Sequence, residues 1–365
     1  MIGLDKKQFS YFIKDVLYYN SITFGGFIDE NYQAQKIAGR IKIDFISTTD
    51  LIEALEYINI NNTIYIGGER GAFFYNDPFQ HPKFNEFLEL INKKAKKTFK
   101  IITTNSINNS NYDVIKNSNL NLIFDINTFN KENDNYYNII DTLQNISENI
   151  FKINFLFNGD MNTLKKDIDI LLNINNNYAK KHAFLKLPEF SRFHSNEDKE
   201  LHFKALENWE EAIKYFNNIF TYPLFSIRDL NNFPEIEHKE VNIDYYSFNI
   251  KKARENFLKK INDILIETEN RFINPINICF LLPESSYSFF KENFPESNAI
   301  LVKNLSLGGS YTVSGLLNRN DIYNAVLKNR RYNLYVAPIN MFDKKLRDLN
   351  HKHALDDYPF NFILG

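Results

Sequence analysis

Along most of this chain, short apolar runs alternate with segments whose apolar residues are spaced as on one face of a helix. The run at 62–66 stops at Gly67, Gly68 and Glu69, and a segment of helical spacing follows at 83–95. Such alternation is typical of βαβ units and predicts a parallel sheet. The same order gives strands at 62–66, 99–103, 120–125, 151–157, 182–187 and 220–225, and helices at 83–95, 111–116, 135–148, 161–173 and within 197–216.

The predicted fold class is α/β, with a full or partial (β/α) TIM-type barrel over residues 1–235. A doubly wound open sheet is the second alternative. Both architectures place ligands at the carboxyl ends of the strands, so the residues that follow each strand are the candidates for function.

A second, smaller α/β domain is predicted over 250–365, after a connection at 231–250. It begins with a helix at 251–268 that carries charges on one face. Strands then alternate with helices again, which indicates further βαβ units. The strands are predicted at 276–282, 299–302 and 332–336, and the helices at 284–293 and 319–328.

Composition narrows the class of protein. Lys plus Arg number 43 and Asp plus Glu 45, a balance that does not favour nucleic acid or an anionic membrane as a partner. The N-terminus lacks the apolar core of a signal peptide, and no apolar run reaches the roughly 20 residues that span a bilayer. The expectation is a cytoplasmic protein. Cys279 is the only cysteine, so neither an intramolecular disulfide nor a cysteine-ligated metal cluster can form within the chain.

The candidate ligand-binding residues follow predicted strands. A strand that ends in glycines exposes backbone, and arginines at a barrel rim can clamp a carboxylate or a phosphate, although surface salt bridges explain Arg192 and Arg228 almost as well. His81 either fixes the loop after the Gly-Gly-Glu turn or does acid–base work. The candidates around the first domain are Gly67, Gly68, Glu69, Arg70, Thr104, Asn105, Arg192 and Arg228.

The turn Gly67-Gly68-Glu69, with Thr104-Asn105 one βα unit later, resembles the radical S-adenosylmethionine superfamily, whose second strand ends in Gly-Gly-Glu-Pro and whose third commonly ends in Thr-Asn-Gly. That resemblance implies a (β/α) barrel, and it implies that the glycine turn contacts the methionine moiety of S-adenosylmethionine or a related small molecule. Arg70 stands where the family prefers proline. The family's Cys-x3-Cys-x2-Cys loop is missing, since no cysteine precedes Asn62, so no iron–sulfur cluster and no ordinary radical chemistry are expected.

The segment from Val302 to Ile322 resembles a bacterial domain of unknown function that follows radical-SAM-like domains. Its Gly308-Gly309-Ser310 turn either forms an anion nest from free backbone amides or is a tight turn that requires positive φ. Asp321 is interpreted as a charge at a helix N-terminus.

Two functions are compatible with these patterns. The first is a cluster-less, radical-SAM-like pseudoenzyme that binds a small molecule or a protein partner. The second is a non-radical enzyme, a transferase or hydrolase, that uses carboxylates and arginines at the barrel rim. The seven histidines include no His-x3-His and no His-Glu-x-x-His, so no metal site is predicted, and the sequence names no catalytic residue.

Overall fold

A computed structural model describes residues 4–25, 45–67, 77–104, 107–126, 136–190, 195–226, 250–306, 308–310, 317–341 and 362–364. The chain divides into two compact units. The first consists of Met1–Pro188 and Leu201–Leu224, and the second of Glu189–Glu200 and Phe225–Gly365.

The first unit contains a seven-stranded parallel sheet, and this confirms the predicted α/β class. Its strands lie in the order β1 to β7, the order in which they occur in the chain. They are β1 (Ser21–Ile22), β2 (Ile64–Ile66), β3 (Lys100–Thr104), β4 (Leu120–Ile126), β5 (Ile150–Leu156), β6 (His182–Lys186) and β7 (Tyr222–Phe225).

Helices connect successive strands. The helix Thr48–Leu55 is capped by Ser47, whose side chain accepts a hydrogen bond from the backbone N–H of Asp50 while the Asp50 side chain accepts one from the backbone N–H of Ser47. The helices of this part of the chain are Lys6–Tyr19, Thr48–Leu55, Phe84–Lys94, Tyr112–Lys116, Tyr136–Asn145, Met161–Ile174, Asn196–Glu207 and Trp209–Ile219.

The sequential strand order shows that the first sheet is wound in one direction only. A doubly wound sheet reverses its order at a switch point, and the described strands show no such reversal. A (β/α) barrel has this sequential order. Among the described strands no pairing joins β1 to β7, so barrel closure stays a prediction.

The sequence predicted one long helix within 197–216, and the structure has two. The break lies at Asn208, whose side-chain amide donates to the carbonyl of Gly159 at 2.8 Å. Gly159 has φ +86, and a Cβ built on it would lie 2.6 Å from the carbonyl oxygen of Lys204. The loop after β5 therefore contacts the helix backbone closely, and only glycine fits there without strain.

The second unit contains a four-stranded parallel sheet in the order β11-β10-β8-β9. This order does reverse, because the chain runs from β8 to β9 on one side and then returns to β10 on the other. Its strands are β8 (Ile278–Pro283), β9 (Asn298–Val302), β10 (Leu334–Ala337) and β11 (Phe362–Leu364), and its helices are Ile250–Asn270, Glu284–Asn293 and Arg319–Leu327.

Apolar residues cover both faces of the second sheet. Cys279 and Leu281 belong to one buried cluster, and Ile278, Phe280 and Leu282 belong to another. All six residues of β8 are buried, as expected of a central strand with cover on both sides. In the part of the chain that the structure describes, no helix is long and apolar enough to cross a membrane.

Candidate functional site

The two faces of the first sheet differ in chemistry. Alternate residues of a strand point to opposite faces, so β5 presents Phe155 on one side and Asn154 on the other. Phe155 packs on the helix Trp209–Ile219, with 5.6 Å between its ring centroid and that of Phe216. The face of Phe155 is therefore the helix-covered face, and the opposite one is the polar face.

The polar face brings five chemically active side chains together on β4, β5 and β6. In the sheet register, Lys152 is level with His182, Asn154 is level with Asp125, and Lys186 is level with Leu156. Paired residues of parallel strands point to the same face. We call Asp125, Lys152, Asn154, His182 and Lys186 the inner cluster.

An irregularity in β5 places Lys152 in this cluster. Leu122 is paired with Ile150, but the next residue, Ile123, is paired with Lys152, so Phe151 is an extra residue. The extra residue puts Ile150 and Lys152 on opposite faces, whereas regular alternation would put them on the same one. The bulge thus allows Ile150 to be buried on the helix-covered face while Lys152 faces the polar groups.

Asp125 is the centre of the hydrogen bonding. Its Oδ1 lies 3.3 Å from Nζ of Lys186 and accepts from Nδ2 of Asn154 at 2.5 Å. The side chains of Lys186 and Asp125 are 34% and 15% exposed. This ion pair is therefore only partly screened by water, and the amide of Asn154 fixes the carboxylate from the buried side.

Lys152 lies deeper, at 3% exposure. Burial lowers the pKa of Lys152 from 10.5 to about 7; the positive charge of Lys186 lowers it further, while Asp125 acts in the opposite direction. The ring of Phe184 contacts both cations, with its centroid 4.7 Å from Nζ of Lys152 and 5.8 Å from that of Lys186. A substantial fraction of Lys152 is therefore the neutral, nucleophilic amine at neutral pH.

Two polar atoms of the inner cluster have unused bonding capacity. Oδ1 of Asn154 and Nδ1 of His182 are buried and make no hydrogen bond with the described residues. Burial, and next the charge of Lys152, lower the pKa of His182, so its imidazole is neutral at neutral pH. Since buried polar atoms are normally paired, these two are positioned to bond with a ligand or with water.

The described residues from the sequence-based list do not belong to the inner cluster. Gly67 has φ 96, and its N–H donates to the carbonyl of Ile22 at 2.8 Å, a bond that ties β2 to β1. Thr104 is 2% exposed and is level with Phe124 on the helix-covered face. Several other predicted residues lie outside the described part of the chain, namely Gly68, Glu69, Arg70, Asn105, Arg192 and Arg228.

The Gly308-Gly309-Ser310 turn makes specific contacts within the second unit. Gly308 and Gly309 have φ 67 and 72, as the tight-turn interpretation requires. The backbone N–H of Ser310 donates to the carbonyl of Phe190 at 2.9 Å, and the Ser310 hydroxyl accepts from the Phe190 N–H at 3.0 Å. The Ser310 amide is therefore engaged with the protein itself, and the anion nest stays a prediction.

Asp321 caps a helix, as predicted, and also fixes a loop. It forms a capping box with Asn318 at the start of Arg319–Leu327. Its Oδ1 accepts from the backbone amides of Leu305 and Ser306 at 3.0 and 2.9 Å. The aspartate therefore holds together the two ends of the 302–322 segment.

His81 fixes its loop through both ring nitrogens. Nδ1 accepts from the backbone of Lys83 at 3.0 Å, and Nε2 lies 3.2 Å from the carbonyl of Ile46. Burial lowers the pKa of His81, which favours the neutral ring that this pairing needs. Of the two roles considered for His81, the loop-fixing one has direct contacts to support it.

The sequence contains only a weak signal for the inner cluster. Asp125 is the last residue of the predicted strand 120–125, and Lys152, Asn154 and Lys186 fall within the predicted strands 151–157 and 182–187. The available signal was alternation, since Asn121, Ile123 and Asp125 occupy one face of β4, with buried residues between them. Whether Asp125 lies beside the polar residues of β5 and β6 depends on the register between the strands, and alternation within one strand does not predict that register.

An iron–sulfur cluster does not fit this chain. Cys279, its one cysteine, is buried in β8 of the second unit, where burial raises the pKa of the thiol to about 12. In the part of the chain that the structure describes, no group of three or more His, Cys, Asp or Glu side chains could hold a metal ion.

Comparisons with known proteins add little to this geometry. No protein-family model matches the chain, and no curated protein matches it. Among solved structures, the chain is similar to Streptococcus suis SuiB, with a TM-score of 0.32 and 13% identity. The match covers 48% of this chain and 41% of SuiB. A likeness of this size supports no statement about function.

Proposed function

We propose that the first unit binds a small anionic molecule over the polar face of its sheet, with the inner cluster as the binding site. The observation that carries the proposal is the geometry around Asp125, which pairs with Lys186 and bonds to Asn154 beside the buried Lys152. A carboxylate or phosphate is the ligand class that suits two lysines opposed by a single aspartate.

The exposure gradient supports access for a small ligand. The side chain of Lys186, at the last residue of β6, is 34% exposed, while Lys152 is 3% exposed. A molecule that approaches from the carboxyl ends of the strands meets Lys186 and Asp125 first and the buried atoms of Asn154 and His182 next. The carboxyl ends are where (β/α) folds hold their ligands.

The fold itself belongs to the same proposal. The sequential parallel order of β1 to β7 and the Gly67-Gly68-Glu69 turn favour a partial or full (β/α) barrel of radical-SAM descent that has no cluster. S-adenosylmethionine carries a net positive charge, but its carboxylate is a group that the two lysines can bind, so it is one of the molecules to test. Binding to a protein partner remains a prediction from the sequence.

Thermal unfolding tests the binding proposal. The full chain is titrated separately with inorganic phosphate, pyruvate and S-adenosylmethionine. A probe at about 100 times its dissociation constant adds roughly 2.7 kcal/mol of stability, which raises the melting temperature by about 5 to 10 °C for a unit of this size. We expect at least one probe to produce such a shift.

Substitutions locate the bound probe. Lys186→Met and Lys152→Met each remove one of the two lysines that face the anion, so each should abolish most of the shift. Lys166→Met, at an exposed lysine of the helix Met161–Ile174, should preserve it. A shift that survives both inner-cluster substitutions would place the ligand elsewhere. The absence of any shift with all three probes would refute an anion site of useful affinity.

A further inference from the structure

We propose that Lys152 forms an imine with a small 2-oxo acid or a closely related carbonyl compound that occupies the inner cluster. This inference rests on the proposed function, because the same site must first admit the anion. It goes further by naming a covalent chemistry and the atom that carries it.

The position of Lys152 is the first argument. The bulge in β5 turns its side chain away from the helix-covered face and toward Asp125, His182 and Lys186. Bulges that re-aim a side chain are frequent beside active sites. The second buried lysine of this sheet, Lys100, lies in the register of Ile64 and Leu120 on the helix-covered face, and its Nζ donates to the carbonyl of Thr98 at 3.0 Å.

The charges in the cluster are the second argument. Lys186 next to Lys152 and the surrounding apolar residues favour the neutral amine, which is the nucleophilic form. Once an iminium has formed, it and Lys186 carry two positive charges against the one negative charge of Asp125. The carboxylate of a 2-oxo acid supplies the missing negative charge, whereas a simple aldehyde does not. The charge count therefore selects the acid.

The covalent step balances without an oxidant or a reductant. The lone pair of Lys152 Nζ attacks the carbonyl carbon and forms a C–N bond, and the carbonyl π electrons move to oxygen. The amine gives up its two protons to that oxygen, which leaves as water, and the imine nitrogen then takes up one proton. His182, level with Lys152 on β6 and neutral, is placed to carry a proton between nitrogen and oxygen.

Borohydride trapping tests the proposal on the wild-type chain, so no variant has to fold. The protein is incubated at pH 7 with pyruvate or glyoxylate, treated with sodium borohydride, digested and analysed by peptide mass spectrometry. Borohydride adds hydride to the imine carbon and leaves a stable secondary amine. We expect labelling of the Lys152 peptide at least tenfold above that of Lys100, a lysine that is equally buried but faces the helices, and of the exposed Lys166.

The outcomes separate the two proposals. A probe that shifts the melting temperature through Lys186 but leaves Lys152 unlabelled would overturn the imine and keep the anion site. Labelling of Lys100 or Lys166 at the level of Lys152 would also overturn the imine, as it would reflect general lysine reactivity. Lys152→Met, which keeps an unbranched apolar side chain but has no amine, should eliminate the label and retain the folded state by circular dichroism. A label that persists in that variant would contradict the assignment.

Discussion

The two sheets differ in the residues that lie on their two faces. In the second sheet, β8 is buried along its whole length and apolar clusters cover both faces. In the described part of the first sheet, Phe155 packs on a helix on one face, and the opposite face presents Asp125, Lys152, Asn154, His182 and Lys186. Both sheets are parallel, so strand direction is not the cause of the difference.

Strand order explains the difference. A sheet whose chain reverses direction receives helices on both faces, and its strands must then be apolar on both sides. A sheet wound in one direction receives its helices on one face and turns the other inward. The polar face of the first sheet can therefore hold charged groups at reduced solvent exposure, and reduced exposure shifts their pKa values. The chemistry of the molecule is expected there.

The largest expected effect concerns stability in the second sheet. Phe280 is 1% exposed, and its ring centroid lies 5.0 Å from that of Phe290. Phe280→Ala should lower the free energy of unfolding of this unit by about 3 to 5 kcal/mol, because it leaves a cavity in a closed core. Hydrogen exchange of the β8 and β10 amides measures the change.

A matched pair sharpens that comparison. Phe184→Ala, on the half-buried polar face of the first sheet, should cost only about 1 to 2 kcal/mol, and Ile276→Ala, at 69% exposure, about 0.5 kcal/mol or less. Equal costs for Phe280→Ala and Phe184→Ala would mean that the polar face is packed as tightly as an apolar core, and the contrast between the sheets would fail.

The next effect compares one loop from each unit. Gly159→Ala should destabilise the first unit by about 2 to 3 kcal/mol, since the new Cβ needs positive φ and would lie 2.6 Å from the Lys204 carbonyl oxygen. Gly309→Ala shares the positive φ, at 72, but its residue is exposed, so about 1 kcal/mol is expected. Urea unfolding followed by fluorescence of Trp209, the single tryptophan, measures the effect of Gly159→Ala. Hydrogen exchange measures the effect of Gly309→Ala. Similar costs at both positions would show that φ alone sets the penalty.

The sequence predicted the strands β2 to β10 to within a few residues, because each has a clear apolar period, but it predicted one helix within 197–216 where the structure has two. It did not predict β11, whose three residues carry little periodicity. Nor did it predict the inner cluster. Lys152 and Asn154 stand within an apolar strand, and Lys186 ends another; they meet only through the register of three strands and the extra residue Phe151. Such register is set by tertiary packing rather than by local pattern.

Stability as a function of pH tests the environment of the inner cluster. The pKa of Lys152 is about 7 in the folded chain and near 10.5 when the chain is unfolded. Between these values the unfolded chain binds more protons, so the folded state gains stability as pH rises, and the destabilisation is complete below about pH 7. Between pH 7 and pH 9 the free energy of unfolding of the wild type should rise by about 2 kcal/mol more than that of Lys152→Met. Urea unfolding monitored by Trp209 fluorescence reports it.

Lys166→Met is the control for that experiment, since Lys166 is exposed on the helix Met161–Ile174. Its stability should follow the wild-type dependence on pH. If the stability of Lys152→Met depends on pH in the same way as that of the wild type, Lys152 titrates as an ordinary lysine. The polar face would then give Lys152 the same environment as the surface of the protein.

The smallest effect concerns a polar contact in the apolar-cored unit. Ser310→Ala removes the hydroxyl that accepts from the Phe190 N–H at 3.0 Å but keeps the Ser310 backbone N–H that donates to the Phe190 carbonyl. About 1 kcal/mol of stability should be lost, because the partly buried N–H of Phe190 loses its hydrogen bond to the Ser310 hydroxyl. Hydrogen exchange at the Phe190 amide should accelerate, while the amides of β8 keep their protection. Faster exchange throughout β8 would mean that this turn belongs to the core of the second unit, and that the two apolar faces of the second sheet depend on a polar contact outside the sheet.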